Sequence, residues 1–514
     1  MTHKTIINIC LTLIALCWTM AIQAQTATVD GINYNLNSDK TAVVTKSNVT
    51  GDIVIPEKIT VDGVEYSVTS IGYQAFYECK ALTSVNMPSV ITIDAGAFNN
   101  CSSLISVSMP LVTKIGGSAF YDCSNLISVA MPSVTIIDNF VFTNCSSLAS
   151  VEMPSVTSID NYAFSECSSL TSVNMPSVTS IGIGAFRGSP ITKLSLPATL
   201  TSIGNNCFAK TREITFAATT PAALGTDIFW ESAVIRVPES AVNDYRTAAG
   251  WSNYRGQIFS MSDNTDYDVT VTAQDKESGL LNVLGQDNFS KVVSLKVTGT
   301  INSYDIMMIC NRMPYLHHLD LTDATIVAND FEYYTGYHTE DNVIGVGMFR
   351  KDKFMSVKLP KNATRIKRGA LSSPSLIEVD LPVWLESIET GVFNGCYLLE
   401  HVKLPSMLKS IGSSAFYGCS RLKNIEFPPT LKTIGSSAFS GCSNLEKISL
   451  PGVETIESFA FSGCSKLTEV RIPSTLKSIG DGAFDCGNLK KVYTYTIEPV
   501  NIGQNTGSPD KPWG

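Results

Sequence analysis

The chain has 514 residues, 44% of them hydrophobic and 16% charged, which excludes a disordered protein and leaves room for two or more globular domains. Its 37 Lys and Arg against 46 Asp and Glu give a net charge of −9, which argues against a dedicated nucleic-acid binder, whose footprint is basic.

Residues 1–24 read as a secretory signal peptide. Lys4 supplies a positive start, Ile6 to Ala21 an apolar stretch, and Ala24 before Gln25 the small residue at a cleavage point. Cys17 is a poor site for a lipid anchor, because the bulky Leu16 directly precedes it. No other stretch approaches the ~20 apolar residues of a membrane-spanning helix. The sequence therefore predicts no transmembrane span and a secreted or cell-surface location.

Residues 25–70 read as a β-rich N-terminal cap. Internal repetition then takes over. Ile71, Ile93, Ile115, Ile137, Ile159, Ile181 and Ile203 follow one another every 22 residues, and Phe76, Phe98, Phe120, Phe142, Phe164, Phe186 and Phe208 lie five residues beyond each. The unit reads I-G-x-x-A-F-x-x-C-x-x-L-x-x-V-x-M-P. In Leu82-Thr83-Ser84-Val85-Asn86-Met87 the alternation predicts a strand with Val85 and Met87 inward, Ser84 and Asn86 outward, and Pro88 as its stop. The Ala75, Phe76, Cys79 spacing predicts one helical turn on the opposite side of the coil. A single unit cannot bury its own apolar face, so the repetition predicts a solenoid over 71–214, with neighbouring units sharing a core.

Residues 215–262 form a closing segment and linker, ending at the polar break Asp263-Asn264-Thr265-Asp266. Residues 263–347 are expected to be a second β-rich cap, with an aromatic insertion from Asn329 to Asn342 that carries Phe331, Tyr333, Tyr334, Tyr337 and His338. A second array spans 348–493. Its anchors are Ile366, Ile388, Ile411, Ile434, Ile456 and Ile479, with Leu371, Phe393, Phe416, Phe439, Phe461 and Phe484 in the aromatic column. The tail is 494–514.

Thirteen units in register, among them Ser70-Ile71-Gly72 through Met87-Pro88 and Ser410-Ile411-Gly412 through Phe427-Pro428, resemble the BspA-like leucine-rich repeat family of bacterial surface proteins over about residues 30–493. The flanks fit as well: Gly51 to Pro56 resembles the family's β-rich cap, and Val237-Pro238 through Tyr245 to Trp251 its closing segment. The resemblance implies a β-rich repeat solenoid and an exported protein that binds host matrix proteins or other cells. It implies no particular binding residue.

Of 14 cysteines, Cys10 and Cys17 lie in the signal. Ten others, Cys79, Cys101, Cys123, Cys145, Cys167, Cys396, Cys419, Cys442, Cys464 and Cys486, occupy the repeat column or lie within one residue of it. An inward column of one residue type fits packing by reduced, buried thiols. Export and the spacing of adjacent coils leave disulfides as the alternative. The column lacks C-x-x-C pairs and accompanying histidines, so no metal or other cofactor is expected. Of the pair His317-His318, one should point in and one out. There is no G-x-S-x-G, H-E-x-x-H or phosphate-binding loop, and the sequence does not read as an enzyme.

Binding candidates are the outward strand positions. In the first array these are small and polar: Ser84, Ser106, Ser128, Ser150 and Ser172, with Asn86, Ser108, Ala130, Glu152 and Asn174 beside them. In the second they are Glu378/Asp380, His401/Lys403, Asn424/Glu426, Lys447/Ser449, Glu469/Arg471 and Lys491/Tyr493, whose mixed charges can also pair across strands. Residues 348–493 hold 19 Lys and Arg against 13 Asp and Glu, a net of +6 in an otherwise acidic chain. The excess begins with Arg350, Lys351, Lys353, Lys358, Lys361, Arg365, Lys367 and Arg368. Such a patch can attract sulfated glycan or acidic protein, and a solvated edge near the start of the array is the plainer reading. The expected ligand contacts are Lys351, Lys353, Lys367, Arg368, Tyr333, Tyr334, Tyr337, His401, Lys403, Lys447, Arg471 and Tyr493. The partner expected is a host extracellular protein or glycan, bound by an adhesin. A glycan-binding protein for nutrient capture is the alternative.

Overall fold

The computed structural model describes residues 25–495 and the short strand Asn501–Ile502. The signal-peptide reading of 1–24, with Cys10 and Cys17, lies outside the described residues, as does most of the tail. The chain divides into two compact units, residues 1–262 and 263–514.

In the first unit each 22-residue repeat makes one coil carrying two short parallel strands. The Thr/Ser-Ile pairs build one sheet: Ser70 and Ile71 lie beside Thr92 and Ile93, and the same register carries Ile115 to Ile137, Ile159, Ile181 and Ile203. The Ser-Val triplets build the other, from Leu82–Asn86 through Ser106–Ser108, Ser128–Ala130 and Ser150–Glu152 to Ser172–Asn174. Between the sheets the phenylalanines stack ring on ring from Phe76 to Phe208, with centroids 5.1 to 5.6 Å apart. All seven are buried. The strict period is what allows this, because each coil offers the next an identical surface.

The segment from Ala75 to Cys79 is not helical. It is a run of tight turns in which Gln74 and Glu78 take positive φ (51° and 60°), a conformation that no α-helix continues through. Its amides bond to the next coil instead, Phe76 N to Ala97 O at 2.7 Å and Glu78 N to Asn99 O at 2.9 Å. The turns thus form a third ladder along the solenoid.

The twelve cysteines among the described residues are free. Those of the column do more than fill space. From Cys101 onward each thiol donates to the main-chain carbonyl of the preceding coil's aromatic-column residue, Cys101 to Phe76 at 3.0 Å, Cys145 to Phe120 at 3.1 Å, Cys396 to Leu371 at 3.2 Å and Cys464 to Phe439 at 3.2 Å, whereas Cys79, in the first coil, donates to Ser47 O of the cap at 3.3 Å. Ser189 takes over the role where the column lacks a cysteine, donating to Phe164 O at 2.8 Å.

Each end of the first stack is capped. Antiparallel strands Gln25–Val29, Ile32–Leu36 and Thr41–Val44 cover the start. At the other end helix α1 (Val242–Thr247) and Trp251 cover the last coil. Trp251 is fully buried, with its indole donating to Ala222 O at 2.7 Å, and the Tyr245 hydroxyl donates to Ala218 O at 3.1 Å.

The second unit starts differently from the expected β-rich cap. Its strands Asp266–Val271, Ser294–Ile301 and His318–Asp320 are parallel, and helices α2 (Gly279–Leu284) and α3 (Ser303–Asn311) make the crossovers. Parallel neighbours need such long connections. Asn302 and Asp305 form a capping box that starts α3. His317 is buried and His318 half-buried, as the alternation requires. Beyond lie the regular coils, with Phe393, Phe416, Phe439, Phe461 and Phe484 stacked at 4.9 to 5.3 Å. At Gly452 the coils approach so closely that a Cβ would meet Pro429 O at 1.9 Å, which requires glycine. No helix among the described residues is long and apolar enough to cross a membrane.

Candidate binding surface

Parallel in-register strands place one outward residue of each coil beside its counterpart in the next. On the second unit this gives two files. Ser356, Glu378 and His401 are neighbours, and His401 bridges to Asn424; after this, Lys447, Glu469 and Lys491 continue. The adjoining file runs Ser449, Arg471, Tyr493. His401, Lys403, Lys447, Arg471 and Tyr493 are all exposed. The Arg471 guanidinium lies 5.5 Å from the Tyr493 ring centroid and bonds Glu469 at 3.3 Å. That ion pair is exposed and worth little on its own. Its effect is to hold an arginine and a tyrosine side by side on the face.

The basic run does not form one patch. Coiling disperses it, because the residues that become neighbours are those about one coil or more apart in sequence. Lys358 meets Asp320 at 3.7 Å, Lys361 meets Asp323 at 2.8 Å, Arg365 meets Glu389 at 2.8 Å, and Lys367 pairs with Glu340. The hydrogen bond and charge of Lys361 hold the Asp323 carboxyl below its ordinary range. Arg350, Lys351 and Arg368 stay exposed and form no ion pair among the described residues.

Two expected contacts are corrected outright. Lys353 is buried, with Nζ donating at 2.6 Å to the carbonyls of both Ile309 and Met313 at the end of α3. Burial pushes its ammonium down to about 8. It caps the Ile309 carbonyl in the last turn of α3, adds a second donor to Met313 O just beyond the helix, and cannot reach a ligand. Tyr333 is also buried, its hydroxyl donating to Val346 O at 3.0 Å. The rest of the aromatic insertion is a hairpin of Asn329–Tyr334 with Tyr337–Thr339, from which Tyr334 and Tyr337 project into solvent.

One exposed group was missed in the sequence. At the corner after strand Glu378–Asp380, Val383 and Trp384 are 61% and 66% exposed, and Met407, at the same corner of the next coil, is 41% exposed. The signal was there: Pro382-Val383-Trp384-Leu385 replaces the small polar residues found at this corner in Pro473-Ser474-Thr475-Leu476.

On the first unit, Ser106, Ser128, Ser150 and Ser172 form one in-register file, exposed and nearly uncharged, with Asn174 bonding Glu152 at 2.9 Å beside it. No group of His, Cys, Asp and Glu among the described residues is arranged to hold a metal ion.

The model of the BspA type leucine rich repeat region matches residues 57–155, 135–235, 342–452 and 410–506, more than half of the chain. No curated protein matches. Among solved structures, the chain is similar to a leucine rich cell surface protein from Faecalibacterium prausnitzii A2-165, with 25% identity, 95% of this chain and 96% of that one covered, and a TM-score of 0.34. It is also similar to a leucine-rich repeat protein from Bacteroides ovatus ATCC 8483, with 19% identity, 84% and 94% covered, and a TM-score of 0.29. A third is the pneumococcal vaccine antigen PcpA, with 17% identity, 94% and 99% covered, and a TM-score of 0.26. The matched repeats, the stacked phenylalanines and the paired parallel sheets place this chain in the BspA-type leucine-rich repeat family.

Proposed function

We propose that this protein is an exported surface-binding protein, an adhesin that contacts a host extracellular protein through the outward strand face of its second unit. The observation that carries this reading is the file Ser449, Arg471, Tyr493 beside Lys447, Glu469, Lys491, a mixed-charge face with an exposed arginine and tyrosine, side chains enriched among interface hot spots. Neither side chain belongs to the apolar core. Arrays of matrix proteins and of glycans probed with the mature chain test the proposal. A matrix protein should bind, and Arg471→Ala with Tyr493→Ala should weaken it at least tenfold while leaving the thermal midpoint within about 2 °C, since exposed substitutions cost little stability. Unchanged affinity in that double variant would move the site elsewhere. Retention on glycan spots alone would favour the reading in which the serine file of the first unit captures sugars as nutrients.

A further inference from the structure

The hairpin of the second unit is a two-stranded sheet of its own, and only one of its faces is used by the fold. Phe331 stacks on Tyr304 of α3, with centroids 3.9 Å apart and planes within 14°, and Tyr333 is buried behind it. Alternation along the strand then turns Asp330, Glu332 and Tyr334 to the other side, where all three are exposed. Tyr334 is 64% exposed and lies 6.2 Å from Tyr337 across the turn, the two rings within 15° of parallel.

The charge of this segment is one-sided. From Asn329 to Asp341 it contains Asp330, Glu332, Glu340 and Asp341 and no lysine or arginine. Glu340 is taken by Lys367, and Asp341 accepts from the Ala328 amide at 2.7 Å. Asp330 and Glu332 form no ion pair among the described residues. Two carboxylates and two tyrosine rings therefore share one solvated face, with the exposed His338 opposite Glu332 and no lysine or arginine within the segment.

We propose that this face docks an extended, arginine- or lysine-rich segment of a partner protein. The exposed residues Asp330, Glu332 and Tyr334 alternate along a strand that is bulged between Asn329 and Glu332 and again between Glu332 and Tyr334, so a peptide lying along this face meets two carboxylates and then a ring. Carboxylates pair with the cations, bidentately where these are guanidinium groups, and a further cation lies on a tyrosine ring. An acidic partner would meet like charge here, and an apolar one would find no greasy surface beyond the two rings. The inference goes beyond the proposed function: it concerns a site outside the repeats, acidic where the repeat face is of mixed charge, and does not depend on Arg471 or Tyr493.

The probe is a fluorescein-labelled dodecapeptide of alternating arginine and serine, with a glutamate–serine peptide as its counterpart, titrated into the full mature chain. The arginine peptide should bind, and more weakly as salt rises, while the glutamate peptide should not. Tyr334→Ala with Tyr337→Ala, which changes no charge, should weaken binding at least tenfold, and Tyr334→Phe with Tyr337→Phe should restore it, because the ring and not the hydroxyl is needed. Asp330→Asn with Glu332→Gln should weaken binding similarly and flatten the salt dependence. Glu386→Gln with Glu446→Gln, the same charge change elsewhere in the unit, should leave affinity within twofold. The proposal is overturned if the alanine pair keeps wild-type affinity, if the distant charge pair weakens binding as much as the hairpin pair, or if the glutamate peptide binds equally well. Arg471→Ala with Tyr493→Ala should not change the peptide titration, so failure of one proposal is distinguishable from failure of the other.

Discussion

Phe142→Ala is expected to destabilise the first unit by about 3 to 5 kcal/mol, through lost transfer energy and the cavity left behind. The ring is fully buried in the middle of the stack, 5.3 Å from Phe120 and 5.2 Å from Phe164. Both neighbours lose a partner, and each such aromatic contact is worth about 0.5 to 1.5 kcal/mol beyond area alone, which pushes the cost toward the upper end. The site has little means of collapse. The surrounding backbone is pinned by Phe142 N to Ala163 O at 2.8 Å and by the Cys167 thiol on Phe142 O at 3.1 Å. Ser128→Ala, on the exposed file, should cost less than about 0.5 kcal/mol. Denaturant melts of both variants check this. Because solenoid stability is carried from coil to coil, Phe142→Ala should also broaden the first unit's transition by uncoupling the coils on either side. Equal effects of the two substitutions would mean that the inner and outer faces have been exchanged.

The core was legible in the sequence because a solenoid writes its packing as a period. Every residue of the isoleucine and phenylalanine columns is buried. What the period could not reveal was the conformation between strands. Ala75, Phe76 and Cys79 sit at a helical spacing, yet successive tight turns give the same inward positions, and only the positive φ at Gln74 and Glu78 separates the two. Helix α3 has a local signal in the sequence, the Asn302 to Asp305 capping pair before Ile306 and Ile309, which lies outside the repeat period.

The binding surface was less legible, for a reason of geometry. A run of cations in sequence is a patch only if its residues share a face. In a coil they turn through several faces, and their real neighbours lie in the adjoining coils or in the preceding cap, as Asp323 does for Lys361 and Glu389 for Arg365. Lys353 is the clearest case: its charge alone suggests a ligand contact, whereas its position after α3 makes it a donor to Ile309 O and Met313 O. The outward strand positions were recoverable because alternation alone fixes them. Trp384 follows from no alternation, since it sits at a corner, and stands out only when the same corner is compared from coil to coil.

Alkali should unfold each unit at a pH where most of the other contacts persist, and the cysteine columns set that pH. Burial pushes Cys101, Cys396 and Cys486 up to about 12, and Cys123, Cys145 and Cys419 well above the ordinary thiol range. A thiolate in the column would be desolvated and would also face a carbonyl oxygen to which it can no longer donate. In the unfolded chain each thiol ionises near ~8.5. The sign follows: the folded state holds its protons longer, so this contribution is fully present below about pH 8.5 and is lost as pH rises toward the folded values. Each buried cysteine whose thiol is pushed up in this way then costs about 1.4 kcal/mol per pH unit, or about 2 kcal/mol at pH 10. The second unit's column holds Cys396, Cys419, Cys442, Cys464 and Cys486, so together they remove about 10 kcal/mol there. That is comparable to the whole stability of a typical domain, and unfolding is expected between about pH 9.5 and 10.5. Replacing Cys419, Cys442 and Cys464 by serine tests the cause. Serine keeps the donor, as Ser189 does in the first unit, but does not ionise in this range. The triple variant should be somewhat less stable at pH 7 yet lose stability with pH only about two fifths as steeply through the thiol contribution, so its curve should cross that of the parent. Parallel curves for the two proteins from pH 8 to 10.5 would show that the thiols are not the titrating groups, as would be the case if adjacent coils were joined by disulfides.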